Sequence, residues 1–102
     1  MSLMDFMEAW WLSVRPLLEV AGVVGRFDRS PIDRPNPSCA LNLRRHEMEA
    51  DLLVWESGEA ELATSERGGS TDQQHFDDIR RPGKLSAILS RVVCLATKVP
   101  PA

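Results

Sequence analysis

Ala50-Asp51-Leu52-Leu53-Val54-Trp55-Glu56-Ser57-Gly58-Glu59-Ala60-Glu61-Leu62-Ala63-Thr64 is two strand patterns joined by a turn. From Ala50 to Glu56 the side chains alternate, with Leu52 and Val54 on one face and Leu53 and Trp55 on the other. From Glu59 to Thr64 the alternation resumes, with Ala60 and Leu62 set against Glu59, Glu61 and Ala63. Ser57-Gly58 lies between them, and Gly58 supplies the positive φ that a short loop needs. The expectation is an antiparallel hairpin with one apolar face and one mixed, acidic face.

Outward from this hairpin the pattern extends in both directions. Cys39, Leu41 and Leu43 alternate with Ala40, Asn42 and Arg44, which predicts a half-buried strand. Val23, Val24 and Phe27 begin a further strand that stops at Ser30-Pro31. Ser30 to Ser38 holds Pro31, Pro35 and Pro37 and is predicted to be an extended loop. Beyond a polar turn at Gly68-Gly69, Gln73 to Ile79 is a candidate edge strand that carries His75.

Both ends of the chain carry the helical period. Leu3, Phe6, Met7, Trp10, Val14, Leu17, Leu18 and Ala21 recur at steps of three and four and define an apolar stripe that leaves Trp11 outside it. Pro16 interrupts the pattern: either one helix kinks there, or Ser13 caps a second short helix. Gly22 and Gly25 end the helical region. After Pro82, the residues Leu85, Ile88, Leu89, Val92, Val93 and Ala96 form a second stripe, with Arg91 and Lys98 toward its end. The predicted fold class is α+β: an antiparallel sheet of three to five strands, with an N-terminal and a C-terminal helix packed on one face.

The bulk properties set the limits. With 102 residues, 43% of them apolar and 26% charged, the chain has room for a single domain, 1–102, with one core. A net charge of −3 offers no basic face for nucleic acid. The longest apolar stretches, Val20–Val24 and Val92–Ala96, fall far short of the roughly 20 residues that span a bilayer. Met1 to Val14 carries Asp5 and Glu8 and lacks the basic segment of a signal peptide, so the expected location is cytoplasmic. In that setting Cys39 and Cys94 are expected as two buried free thiols, whereas an oxidising compartment would allow them to pair.

No arrangement of residues points to catalysis. Cys39, His46, His75 and Cys94 lack the spacing of a metal site, the serines lie in no nucleophile frame, and the glycines lack the lysine of a phosphate cradle. No cofactor and no enzymatic activity is expected.

The informative feature is charge segregation. Glu47, Glu49, Asp51, Glu56, Glu59, Glu61, Glu66, Asp72, Asp77 and Asp78 fall in a segment whose one cationic side chain is Arg67. Arg80, Arg81, Lys84, Arg91 and Lys98 then reverse the sign. A solvated sheet face accounts for such a run, and so does a surface that speeds association with a basic partner. Trp55, on the strand face opposite Leu52 and Val54, is a residue type enriched at binding hot spots.

The segment Val54-Trp55-Glu56-Ser57-Gly58-Glu59-Ala60-Glu61-Leu62 resembles the signature hairpin of the TriTu family of bacterial immunity proteins. The surrounding plan is similar, with a Trp-containing N-terminal helix, the strand of Leu41 and Leu43, an acidic strand with His75 and a C-terminal amphipathic helix. The Pro-rich loop and Pro16 depart from the family's pattern. The resemblance implies a non-catalytic cytoplasmic inhibitor of a type VI or Rhs-type toxin, an ADP-ribosyltransferase whose cleft it occludes. The expected partner-binding residues are Trp55, Glu56, Glu59, Glu61, His75 and Asp77. The alternative expectation is a structural or adaptor subunit of a bacterial assembly.

Overall fold

Ser2 and Gly22 bracket the first element, helix α1 (Leu3–Val20), in a computed structural model that describes residues 2–31, 33–66, 69, 71–81 and 83–97. The Ser2 hydroxyl accepts a hydrogen bond from the Asp5 N–H at 3.0 Å, which satisfies a donor that the helix itself cannot reach. At the other end Gly22 adopts a φ of 82°, and the Gly22 and Val23 N–H groups donate back to the carbonyls of Glu19 and Leu18. This is the Schellman arrangement, closed by two buried side chains, Leu18 and Val23. Pro16 lies inside α1, which continues through it as one element, while the Ser13 hydroxyl donates to the Trp10 carbonyl at 2.8 Å.

Five strands follow as an up-and-down meander: β1 (Val24–Arg29), β2 (Ser38–Arg45), β3 (Met48–Trp55), β4 (Ala60–Ser65) and β5 (Asp72–Phe76). Their order in the sheet is their order in the chain, and every neighbouring pair is antiparallel. Helix α2 (Lys84–Thr97) closes the fold. The expected α+β class, with both helices against one face of the sheet, is what the chain adopts. No described helix is long and apolar enough to cross a membrane. The expected placements that rest on Arg67, Gly68, Pro82 and Lys98 lie outside the described residues.

Register explains the core. Cys39 pairs with Val54, Leu41 with Leu52 and Leu43 with Ala50, while Leu52 and Val54 face Leu62 and Ala60 of β4. All of these side chains are buried, together with Met4, Met7, Trp11 and Leu18 of α1 and Leu85, Ile88, Leu89, Val92 and Ala96 of α2.

Two sequence expectations are corrected here. The buried stripe of α1 runs through Met4, Met7, Trp11 and Leu18, so Trp11 lies in the core, and Leu17 is exposed. The reason is Gly25 of β1: with no side chain, it leaves room on the sheet for the Trp11 indole. Cys39 is buried as expected, its thiol pushed up to about 12 by burial, but Cys94 is exposed. Cys94 falls off the 85-88-89-92-96 stripe of α2 and points outward. Both thiols are free.

Candidate partner-binding face

The β3–β4 hairpin closes through a three-residue loop. Gly58 N–H donates to the Trp55 carbonyl at 3.0 Å, Trp55 N–H donates to the Glu59 carbonyl at 2.9 Å, and Gly58 takes a φ of 104°. This closure fixes which residues of β3 and β4 lie opposite one another. On the face away from the helices, Leu53 faces Glu61 and Asp51 faces Ala63. The rows then extend across the sheet as Ala40–Leu53–Glu61–His75 and Asn42–Asp51–Ala63–Gln73.

Ala63 is small and its neighbours are not, so the sheet dips at that point. Asp51, Leu53, Glu61, Gln73 and His75 surround it and line a groove of about 440 Å³, with Leu62 and Gln74 completing its wall. The groove lies on the side of the sheet that neither helix covers. Its charge is mainly negative. Asp51 accepts a hydrogen bond from the Asn42 amide at 2.6 Å, and Glu61 lies 3.6 Å from His75 Nδ1. Elsewhere on this face the charges pair off, Arg26 with Asp28 at 2.8 Å and Arg44 with Glu49 at 4.0 Å.

His75 bridges two carboxylates. Its Nε2 is 3.0 Å from Asp77 Oδ1 and its Nδ1 faces Glu61. The hydrogen bond with Asp77, reinforced by that carboxylate's charge and by Glu61, raises the His75 pKa above the usual 6.5. Because the folded-state pKa is raised, this interaction supports the fold fully below about pH 6.5 and is lost as pH rises through the higher folded value. An NMR titration is expected to give His75 a midpoint above 6.5, and Asp77→Asn is expected to move it back down. An unchanged midpoint in that variant would remove Asp77 as the cause.

The expected site residues separate into two groups. Glu61 and His75 line the groove, Asp77 lies 3.0 Å from His75 Nε2, and Trp55 lies half-buried on the same face, opposite Ser38. Glu59 is exposed at the mouth of the hairpin. Glu56 turns the other way. Its Oε2 accepts the Leu3 N–H at 2.8 Å and lies 3.3 Å from Arg80 Nη2, and its carbonyl accepts from Arg80 Nε at 2.9 Å. Glu56 thus places an anion at the N-terminus of α1, where the helix dipole favours one.

The rest of the hairpin loop is similarly engaged. Glu56 N–H donates to the Pro37 carbonyl, Ser57 pairs with the Asn36 amide, and Ile79 N–H donates to the Gly58 carbonyl. Three otherwise separate pieces, the Pro-rich loop, the start of α1 and the segment after β5, converge on Glu56-Ser57-Gly58.

Among protein-family models, curated proteins and solved structures, none matches this chain. Asp51, Leu53, Ala63 and Gln73 are not among the partner-binding residues expected from the sequence. Counting back from the Gly58 turn pairs Asp51 with Ala63 and Leu53 with Glu61, so the first three were accessible from hairpin register alone. Gln73 was not, because the β4–β5 register depends on a longer connection. No group of three or more His, Cys, Asp or Glu side chains that could hold a metal ion forms among the described residues.

Proposed function

We propose that this chain is a non-catalytic protein-binding module that docks a basic partner on the open face of its sheet, and that the partner is a bacterial toxin which it neutralises. The observation that carries the docking half is the uncovered groove over Ala63, with Asp51 and Glu61 on its rim and Leu53 beside it. An Arg or Lys side chain of the partner has its counter-charges there, and Leu53 and the half-buried Trp55 offer apolar contact around them. The toxin half is supported by the resemblance of the Val54–Leu62 hairpin to the immunity-protein signature.

Charge sets the encounter rate and the apolar contacts set the residence time. Replacing Glu59 and Glu61 together with lysine is expected to slow association about tenfold or more at low salt, with the difference shrinking as salt is added. Both side chains are exposed, so the fold is expected to survive. Stopped-flow or surface-based kinetics would show it. Unchanged association rates would remove the acidic face from the interface. Loss of the proton on His75 makes the groove more negative, so a basic partner is expected to bind more tightly as pH rises through that pKa.

The decisive experiment is a titration against the C-terminal domain of the protein encoded immediately upstream, since immunity genes usually follow their toxins. A Kd in the nanomolar range, about −12 kcal/mol, with loss of toxin activity, is the expected result. Absence of binding by a folded sample would end the toxin pairing. A second reading, a permanent subunit of a bacterial assembly, draws on the apolar side chains that α1 leaves in solvent.

A further inference from the structure

Given that a basic partner docks on the open face of the sheet, as proposed above, we infer that the groove over Ala63 takes an arginine side chain of that partner and discriminates against lysine. Four side chains of the β3–β4 hairpin form a square block in the groove. Asp51 lies opposite Ala63 and Leu53 lies opposite Glu61, so the two acids occupy one diagonal and the two apolar residues the other. Diagonal neighbours in an antiparallel pair stand roughly 7 Å apart. Asp51 and Glu61 are exposed, whereas Leu53 and Ala63 are half-buried and form the lower surface between them.

Each carboxylate is already engaged through one oxygen. The Asn42 amide donates to Asp51 Oδ1 at 2.6 Å, and Glu61 Oε1 lies 3.6 Å from His75 Nδ1. His75 is tied in turn to Asp77, at 3.0 Å from its Nε2. Asp51 Oδ2 and Glu61 Oε2 accept no hydrogen bond from the described residues. The groove therefore offers a cation two separate acceptors at opposite corners, with apolar surface between them. A guanidinium has donors on opposite edges of one plane, so it reaches both corners together while its weakly hydrated faces lie against Leu53 and Ala63. The three donors of an ammonium radiate from a single nitrogen. At this separation it binds one corner and must shed strongly held water over the apolar pair.

An NMR amide-shift titration of the full chain with acetyl-Gly-Arg-Gly-amide and acetyl-Gly-Lys-Gly-amide tests this. The expected result is a set of saturable shifts centred on positions 51, 61 and 63 with the arginine peptide, and binding about tenfold weaker with the lysine peptide. Asp51→Asn and Glu61→Gln are each expected to weaken the arginine peptide about tenfold and to narrow the preference, because one charged corner then remains for either cation. Ala63→Leu is expected to fill the groove and abolish the shifts in a chain that circular dichroism shows to be folded. Equal affinity for the two peptides would overturn the inference, as would arginine binding that survives Ala63→Leu. So would the absence of saturable shifts up to about 10 mM peptide, well above a Kd of about 1 mM. Titrating Ala63→Leu against the upstream toxin domain keeps this distinct from the docking proposal. Toxin binding lost in that variant, together with equal peptide affinities, would overturn the arginine preference and leave the docking face standing. Toxin binding that survives Ala63→Leu would overturn the groove as the site of the toxin's arginine, whatever the peptides do.

Discussion

Replacing Trp11 with alanine is expected to lower the unfolding free energy by roughly 3–5 kcal/mol, a large share of what a domain of this size has. The indole is buried, and its ring edge lies where Gly25 would carry a side chain. A Cβ built on Gly25 would meet Trp11 Cη2 at 2.3 Å, Cζ3 at 2.9 Å and Leu43 Cδ2 at 3.0 Å. Gly25→Ala is accordingly expected to cost about 1–3 kcal/mol through overpacking. The two effects are coupled. In a Trp11→Ala background the two closest obstructing atoms are gone, so Gly25→Ala is expected to be nearly neutral or to recover some stability by filling the space. A double-mutant cycle by urea denaturation measures this coupling directly. Additive effects would mean that α1 shifts enough to make the contact unimportant.

The second large effect is expected at Glu56. Glu56→Ala removes the carboxylate that accepts the Leu3 N–H and faces Arg80, both charge-assisted interactions. With the Glu56 side chain only 21% exposed, the expected loss is about 1.5–3 kcal/mol. Glu56→Gln keeps an acceptor for Leu3 and is expected to lose less. Glu61→Ala, on the open face, is expected to change stability little. This contrast separates the two glutamates by where their side chains go: Glu56 ties the loop to α1 and Arg80, and Glu61 lines the open groove. Equal stability losses at positions 56 and 61 would contradict it.

The hairpin shows how much was legible before any coordinates. Alternation over Ala50–Thr64 and the Gly58 turn predict both strands, their faces and their antiparallel hairpin, and those are as found, with Glu56 in the loop instead of at the end of β3. Leu85, Ile88, Leu89, Val92 and Ala96 likewise mark the buried side of α2 from spacing alone.

α1 was harder for a physical reason. Two interleaved apolar stripes fit the helical period, one through Trp10 and Leu17 and one through Trp11 and Leu18. What separates them is Gly25, a position in a different element whose lack of a side chain admits the Trp11 indole. Glu56 was assigned to the acidic surface because charge pattern locates a residue along the chain without saying which way its side chain turns. The groove itself depends on a small residue flanked by larger ones across three strands. A single strand's pattern does not contain that relation.

The strand order has a consequence for how the molecule is made. Each strand lies beside the one that precedes it in the chain, so no pairing waits for a distant segment to return. The sheet is able to assemble from any one hairpin outward, closing only short loops at each step, which keeps the entropic barrier low for a β-rich topology. The helices stand at the two ends of the chain and dock on the same face. Of the two, α1 is made first and α2 last, so a ribosome-bound chain has its sheet and first helix in hand before the residues that complete the core emerge.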